Sequence, residues 1–566
     1  MNDIRRTILW VVFGFSMVLL WDQWQIFNGK PATFFPSPPA ATAKAPAGAA
    51  SSSAKPASGV PTATASAQPG AVPTSDATPA AARERFTVTT DLLRLNFDTE
   101  GGSLVGVEFL KHAADASRGK TTEARFVLLQ DDANHTYVAQ SGLIGGDFPN
   151  HKTVMTASAE RELKPGANEL VVKFESPEKN GVKLVKTYTL KRGAYDIAVR
   201  HDIVNTGAAP VAPQLYVQLV RGGFTDASSS MMNPAGTYTG PAIYTDEKKY
   251  QKVSPEDITK GKADFQKQST SGYVAMVQHY FASAWILPAG QPRENFARQV
   301  DQRFSVGMIT PAQEVAPGTH RALEATFFAG PQEEKMLERV TPGLDLVKDY
   351  GMFTILAKPL YWLMDRLHGF IGNWGWTIMA LVLLIKIAFY WLQAKGYESM
   401  AKMKAINPRV MAMRERLKDN PQQMQQEMMR LYREEKVNPV GGCLPILVQI
   451  PVFIALYWVL LSSVEMRHAP WVGWIQDLSA PDPFFILPVV MTLTTLLQTA
   501  LNPVPPDPMQ ARLMWFMPLI FSVMFFFFPA GLVLYWITNN VLSIAQQWLI
   551  NKRMGVPPEF NLPKFK

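Results

Sequence analysis

Cysteine is almost missing from this chain of 566 residues, Cys443 being the sole one, which excludes an intrachain disulfide framework and any cysteine-based metal cluster. Charge is scarce too: 18% of residues are charged against 47% hydrophobic, with a mean hydropathy of -0.02. That is too apolar for one soluble domain and too polar for a chain lying wholly in a membrane, so two kinds of region are being averaged. Five long apolar runs toward the C-terminus contain no Asp or Glu. No acidic relay for protons or sodium ions can run through them, which argues against ion-coupled transport. A Walker-type glycine loop, a metal-ligand spacing and a nucleophile elbow are all absent, and His201, His279 and His320 stand isolated. Neither catalysis nor a metal nor a cofactor is expected. The formal net charge of +8 does not point to nucleic acid, because the basic residues cluster beside apolar runs, where retention of Lys and Arg in the cytoplasm is the commoner cause.

What is present divides the chain. Arg5 and Arg6 precede the apolar run TILWVVFGFSMVLLW, and Asp22-Gln23-Trp24-Gln25 follows where a small-residue cleavage site would stand. Residues 1–27 therefore read as an uncleaved anchor with its N-terminus in the cytoplasm. Residues 28–84 are rich in Pro, Ala, Ser and Thr with few large apolar residues, a flexible tether that buries too little apolar surface to order itself. From 85 to 335 the hydrophobic period is two: Leu93, Leu95 and Phe97 alternate before Glu100-Gly101-Gly102, and ELVVKF joins VKLVKTYTL through a turn carrying Asn180-Gly181, a strong hairpin signal. Further strand-like runs (AYDIAVRHDIVN, QLYVQLV, GYVAMVQHYFASAWIL, RALEATFFAG) predict a large β-sandwich on the far side of the membrane.

Between 343 and 371 the period becomes helical, with Leu346, Tyr350, Phe353, Ala357, Leu360, Met364 and Leu367 on one stripe. Charges interrupt it too often for a crossing, so it reads as an amphipathic helix in the interface plane, a core helix of the β-domain being the alternative; Trp362, Trp374 and Trp376 favour the interface. Spans are expected at Trp374 to Leu392, Leu444 to Val464, Phe484 to Leu501, Leu513 to Phe528 and Leu532 to Ile550, the last four within 444–550. With the anchor these make six transmembrane helices. Ten Lys and Arg between Lys395 and Lys436, set against Arg467 alone in the loop from Glu465 to Pro483, place 393–440 in the cytoplasm, and the basic tail 551–566 agrees. Residues 393–440 read as a helical hairpin broken at Asn420-Pro421. Its Met400, Met403, Met411, Met424 and Met428 suit irregular partners, although a solvated hairpin without a client gives the same pattern.

One cation interrupts the apolar core: Lys386, in LVLLIKIAFYW, roughly 9 Å of helix from the inner end of its span. Snorkelling to the interface is the plain explanation. Against it stands the company Lys386 keeps. Gln393 lies two turns further on, Gln449 sits near the inner end of the next span, Thr495 and Gln498 lie in the fourth, and Tyr535, Asn539, Ser543 and Gln546 make one stripe on the last. Interhelical hydrogen bonding accounts for any one of these residues. Polar groups on several spans around one ammonium point instead to a wet cavity, since an unsolvated charge in hydrocarbon costs several kcal/mol. An unpaired cation in a cavity open to the cytoplasm would draw in acidic or polar peptide segments.

Four stretches carry a family resemblance: VNPVGGCLPILVQIPVFIALYWVL (437–460), YESMAKMKAINPRVMAMRERL (397–417), DPMQ (507–510) and FPAGLVLYWITNN (528–540). With the overall layout, they closely resemble the YidC family of membrane protein insertases, across essentially the whole chain. The resemblance implies a polytopic α-helical membrane protein with a five-helix core and a periplasmic β-supersandwich, located in a bacterial inner membrane with both termini cytoplasmic. It implies a non-enzymatic insertase and chaperone that works alone or beside the Sec translocon and its accessory subunits. Clients, which are nascent inner-membrane proteins, would come from ribosomes and the signal recognition pathway, with the lipid bilayer as the other partner. A hydrophilic groove centred on one cation, here Lys386, would receive the client's polar segment. A hydrophobic slide would run along Ile450 to Leu461 and Leu513 to Phe528, including Ile450, Phe453, Leu456, Trp515, Phe516 and Leu519. The family cation is most often arginine, and lysine keeps the charge while losing the five-donor fork. Two rivals remain at this point: a small-solute transporter or channel, and a membrane-anchored carbohydrate-binding protein built on the β-domain.

Overall fold

The computed structural model describes residues 83–114, 124–223, 238–417, 420–435, 444–502, 508–555 and 560. The anchor, nearly all of the tether and most of the tail fall outside them. Two layers of sheet occupy the first half. One runs from β1 (Arg85–Thr89) through β2 (Leu93–Asp98), β3 (Ser103–Ala113), β4 (Arg125–Asp131), β5 (Thr136–Ile144), β10 (Gln214–Gly222), β17 (Arg303–Pro311) and β16 (Arg293–Val300) to β13 (Gln268–Ser269). The other runs from β12 (Lys249–Lys252) through β11 (Gly240–Thr245), β14 (Tyr273–Val277), β15 (Phe281–Ile286), β18 (His320–Pro331), β9 (Asp196–Asn205), β8 (Val182–Lys191) and β7 (Glu169–Glu175) to β6 (Thr156–Ala159), with antiparallel ladders throughout.

Alternation decides which side chains enter the sandwich. On β8 (Val182–Lys191) Val182, Leu184, Lys186, Tyr188 and Leu190 point inward while Lys183, Val185, Thr187 and Thr189 are half exposed, and β2 (Leu93–Asp98) buries Leu93, Leu95 and Phe97 in the same way. Rings from both sheets meet there, Phe97 lying 5.6 Å from Phe174 and 5.1 Å from Tyr188. The expected turns form as the sequence dictates. Asn180 and Gly181 both have positive φ (51° and 71°) between β7 (Glu169–Glu175) and β8, the backbone a two-residue hairpin turn requires. Gly101 has φ 72°, and a Cβ there would come within 2.4 Å of the His151 backbone. GYVAMVQHYFASAWIL, read as one run, is two strands, β14 (Tyr273–Val277) and β15 (Phe281–Ile286), paired as a hairpin.

One inward position of β8 is a lysine. Lys186 is fully buried and donates to the carbonyl oxygens of Gly101 (2.5 Å) and Ser141 (2.7 Å). His201 bonds the Ser141 hydroxyl at 2.9 Å and His151 the Tyr216 hydroxyl at 2.5 Å. Burial disfavours every charged form in this cluster. It lowers Lys186 to about 7, His201 to about 3 and His151 to about 4.

The sandwich is fastened to the helices that follow. After α1 (Pro255–Thr259) and α2 (Glu334–Val340) the chain makes two 3₁₀ turns, Leu344–Val347 and Gly351–Phe353, and then α3 (Thr354–Ile371). The amphipathic helix expected over 343–371 is thus continuous only from Thr354. The Asp349 carboxylate accepts the Gly351 N–H, and Gly351, at φ 65° against the Trp458 indole, breaks the stripe before it. Within α3 the expected Ala357 and Met364 are buried, while Ile355 and Phe370 are 88% and 90% exposed, so apolar surface is left facing outward. At the junction the buried Lys348 ammonium lies 3.4 Å from both oxygens of Glu465 and 4.0 Å from the Tyr361 ring, and the Tyr361 hydroxyl donates to Glu465 at 2.5 Å. His279, isolated in the sequence, donates to the Leu461 carbonyl at 2.9 Å.

The remaining helices are α4 (Trp374–Ala388), α5 (Tyr390–Arg416), α6 (Pro421–Glu434), α7 (Leu444–Ser462), α8 (Ile486–Leu501), α9 (Pro508–Phe525) and α10 (Ala530–Arg553). The expected span Trp374 to Leu392 is not one helix: α4 ends at Ala388, and α5 leaves at 70°. The backbone tolerates the break because Phe389 N–H reaches the Ile385 carbonyl and Gln393 N–H the Phe389 carbonyl, both at 3.0 Å. No single described helix is long and apolar enough to cross a membrane; α4 and α5 together pass that test, and Gln449–Ser462, α8 and Ala511–Phe525 are shorter apolar helices. The count of six crossings is therefore an expectation of the sequence alone. Asn420 caps α6 by accepting the Gln423 N–H, with Pro421 opening the helix, so the hairpin turns at the expected dipeptide.

Two outcomes follow for stability. The histidine values lie below the 6.5 of an unfolded chain, so the unfolded state binds more protons between pH 6.5 and about 3. The sandwich should be most stable above that window and lose stability as pH falls through it. Calorimetric melting at pH 7 and pH 4 checks this: the Tm should drop on acidification, and His201→Gln should flatten the slope. Lys348→Met, which strands Glu465 beside Tyr361, should cost about 3 kcal/mol at the junction. Hydrogen exchange across Thr354–Ile371 should show it as faster opening.

Candidate functional site

The polar residues expected near Lys386 converge only in part. Lys386, 7% exposed, lies on the last turn of α4 and lines a cleft of about 410 Å³, counting its open mouth, with Gln393 of α5, Gln449 of α7, and Tyr535 and Asn539 of α10. The rest of the wall is apolar: Val382, Ile385, Phe389, Leu392 and Val452. The ammonium donates to Ser543 Oγ at 2.6 Å and to Gln393 Oε1 at 3.4 Å. Gln449 Nε2 donates to Asn539 Oδ1 at 2.8 Å. The Tyr535, Asn539, Ser543 spacing on α10 therefore does turn one polar edge toward Lys386, because three to four residues make one helical turn.

Thr495 and Gln498 do not line the cleft. Thr495 accepts from Asn540 Nδ2 at 2.8 Å, a bond that ties α8 to the other side of α10. Gln546 sits beyond the cleft and reaches the Tyr390 carbonyl at 3.5 Å. Asn540 and Gln547, both buried, were not singled out from the sequence. Together with Asn551 they are spaced seven and four apart, a second polar stripe that was open to reading. Tyr397, whose hydroxyl engages Ser543, was also missed, because it follows the apolar run by several residues.

The hydrophobic positions divide as well. Ile450, Phe516 and Leu519 are exposed, and Trp515 is half-buried. Phe453 packs on Trp536 at 4.8 Å, and Leu456 is 1% exposed inside the bundle, so it is a core residue and not part of an open slide. The period that makes α7 apolar all round cannot tell its packed face from its free one. In the hairpin Met403 and Met428 pack against buried Ile406 and Val410, Met400 and Met424 are half-buried, and Met411 is exposed. Two of the five methionines thus hold the hairpin arms together.

Chemically the cleft offers a positive charge whose two described partners are neutral acceptors. No carboxylate among the described residues bonds the ammonium, so its field reaches the cleft undiminished by pairing.

Known proteins give the chain its family. Residues 85–363 match the model of the YidC periplasmic domain, and residues 366–556 that of the 60Kd inner membrane protein. Membrane protein insertase YidC of Cupriavidus metallidurans is 57% identical over 561 residues, 98% of each chain. That of Burkholderia cenocepacia is 52% identical over 561 residues, 98% of this chain and 99% of the relative. A crystal structure of an active YidC insertase with its first transmembrane domain resolved covers 81% of this chain and 91% of that one, at 19% identity and a TM-score of 0.38. With a family model over each part and relatives alike from end to end, this chain belongs to the YidC family of membrane protein insertases.

Proposed function

We propose that this protein inserts membrane proteins into a bacterial inner membrane, using Lys386 as the charge that receives a client's polar segment. The observation that carries the reading is the ammonium itself: nearly buried, at the edge of a cleft, and held by a hydroxyl and an amide instead of a carboxylate. A carboxylate partner would cancel its field at a distance, whereas neutral acceptors lower the desolvation cost and leave the unit charge in place. A peptide segment with acceptor oxygens, above all one carrying Asp or Glu, is thereby favoured in the cleft over the adjacent hydrocarbon. Gln449, Asn539 and Tyr535 supply further donors and acceptors along the same wall.

The client's apolar segment leaves along α9, where Phe516, Leu519, Ile520, Phe521 and Val523 are exposed in one run. The clients are nascent inner-membrane proteins. Sec translocon subunits, ribosomes and the signal recognition pathway are the partners that the family resemblance implies, with Met411 and the charged outer faces of α5 and α6 as the recruiting surface. The excess of Lys and Arg in 393–440 and in the tail supports an orientation with the termini in the cytoplasm and the β-sandwich in the periplasm.

Hydrolysis by a serine–lysine pair is the rival chemistry, since Lys386 and Ser543 touch. It needs the lysine to accept the hydroxyl proton. The Ser543 hydroxyl instead donates to the Asn539 carbonyl at 2.7 Å, the usual bond of a helical serine to the preceding turn, which leaves Lys386 as its donor. Complementation of an insertase-depleted strain by Lys386→Arg, Lys386→Met and Lys386→Glu tests the reading, with insertion of a small client scored by protease protection. Arg should sustain growth, Met should lower insertion about tenfold, the equivalent of roughly 1.4 kcal/mol, and Glu should abolish it. Insertion by the Met variant at the wild-type level would remove the charge from the mechanism.

A further inference from the structure

We infer that Ser543 is the positioning residue that keeps the Lys386 ammonium inside the cleft, a task that falls to it because this chain carries lysine at that position. The inference rests on the role given to Lys386 above. A lysine stem is flexible and its head is a point charge, so nothing in the side chain itself stops the ammonium from swinging toward water at the cytoplasmic boundary. Something on a neighbouring helix has to hold it.

Ser543 is built for that. A hydroxyl has one proton and two lone pairs. The proton is committed to the Asn539 carbonyl one turn back on α10, at 2.7 Å, which leaves the oxygen as an acceptor toward α4 and α5. Lys386 takes one lone pair at 2.6 Å, and the Tyr397 hydroxyl engages the same oxygen from α5. The second contact of the ammonium, Gln393 Oε1 at 3.4 Å, is long and comes from beyond the break at Phe389. The short bond, the one that fixes position, is to Ser543. Two of the three ammonium hydrogens are thereby directed at α10 and α5, and the third has no described partner and is left for the cleft. A guanidinium would depend on the serine less, since its planar fork carries five donors and is not fixed by a single short bond.

The test is an epistasis measurement on the full chain in proteoliposomes, with a small client scored by protease protection. Ser543→Ala and Ser543→Cys are made with Lys386 and again in the Lys386→Arg background, and Ser543→Thr with Lys386. With Lys386, Ala and Cys should each lower insertion about three- to tenfold, the range that interhelical hydrogen bonds span in membranes. Thr, which keeps the hydroxyl, should remain within about twofold of wild type by the same measure. In the arginine background Ser543→Ala should lose less than about twofold. An equal loss in both backgrounds would assign Ser543 a packing role and overturn the inference, as would wild-type insertion by Ser543→Ala with Lys386. Failure of the underlying reading looks different: Lys386→Met would then insert normally, whatever Ser543 does.

Discussion

An ammonium taken out of water has to find acceptors, and the chemistry of those acceptors decides what the charge can still do. At Lys386 they are the oxygen of Ser543 and the amide oxygen of Gln393. Such partners recover part of the lost hydration without adding a negative charge beside the ammonium. The helices, packed on an apolar core, bring these acceptors together. Gln393 has to come from α5, Ser543 from α10, and the cleft amide pair Gln449–Asn539 from α7 and α10, so four helical segments meet around one side chain.

Two other buried lysines show what different partners do. Lys186, inside the sandwich, has only the carbonyls of Gly101 and Ser141. Burial brings its proton affinity down to about 7, and the group serves as a donor tying β8 to the facing sheet. Lys348, at the junction, has Glu465 and the face of Tyr361. Its charge is neutralised by the pair, and what remains is a fastening between the segment before α3 and the loop after α7. Carbonyls, a carboxylate, and a hydroxyl with an amide thus make three different settings for a buried lysine, of which only the second supplies a counter-charge.

Local pattern was enough for the sandwich. Val182, Leu184, Tyr188 and Leu190 alternate because a strand has period two, and Asn180-Gly181 turns because both residues take positive φ readily. Lys386, Gln449 and the Tyr535, Asn539, Ser543 edge were equally legible, since a polar residue in an apolar run is rare enough to stand out. What failed were questions of which face meets which helix. Leu456 and the exposed Ile450 are alike in composition, and only the packing of α7 separates them. Thr495 has the spacing of a lining residue but turns to Asn540. Met403 and Met428 look like free adaptable surface until α5 and α6 close on them. The halt of the amphipathic stripe at Gly351 depends on the Trp458 indole, more than a hundred residues away.

The break at Phe389 was equally invisible, and it bears on why the charge and the cytoplasmic hairpin are neighbours. In an uninterrupted helix Gln393 would lie about 10.5 Å along the axis from Lys386, and α5 would run on away from the bundle. The 70° turn keeps α5 alongside α10 instead, so that Gln393 reaches the ammonium, Tyr397 reaches Ser543 and the Tyr390 carbonyl meets Gln546. The first arm of the hairpin is thereby fixed by the same polar contacts that hold the charge. The ammonium and the arm therefore meet twice, at Gln393, which belongs to the arm, and at Ser543, which serves both, so the two are positioned by one set of contacts.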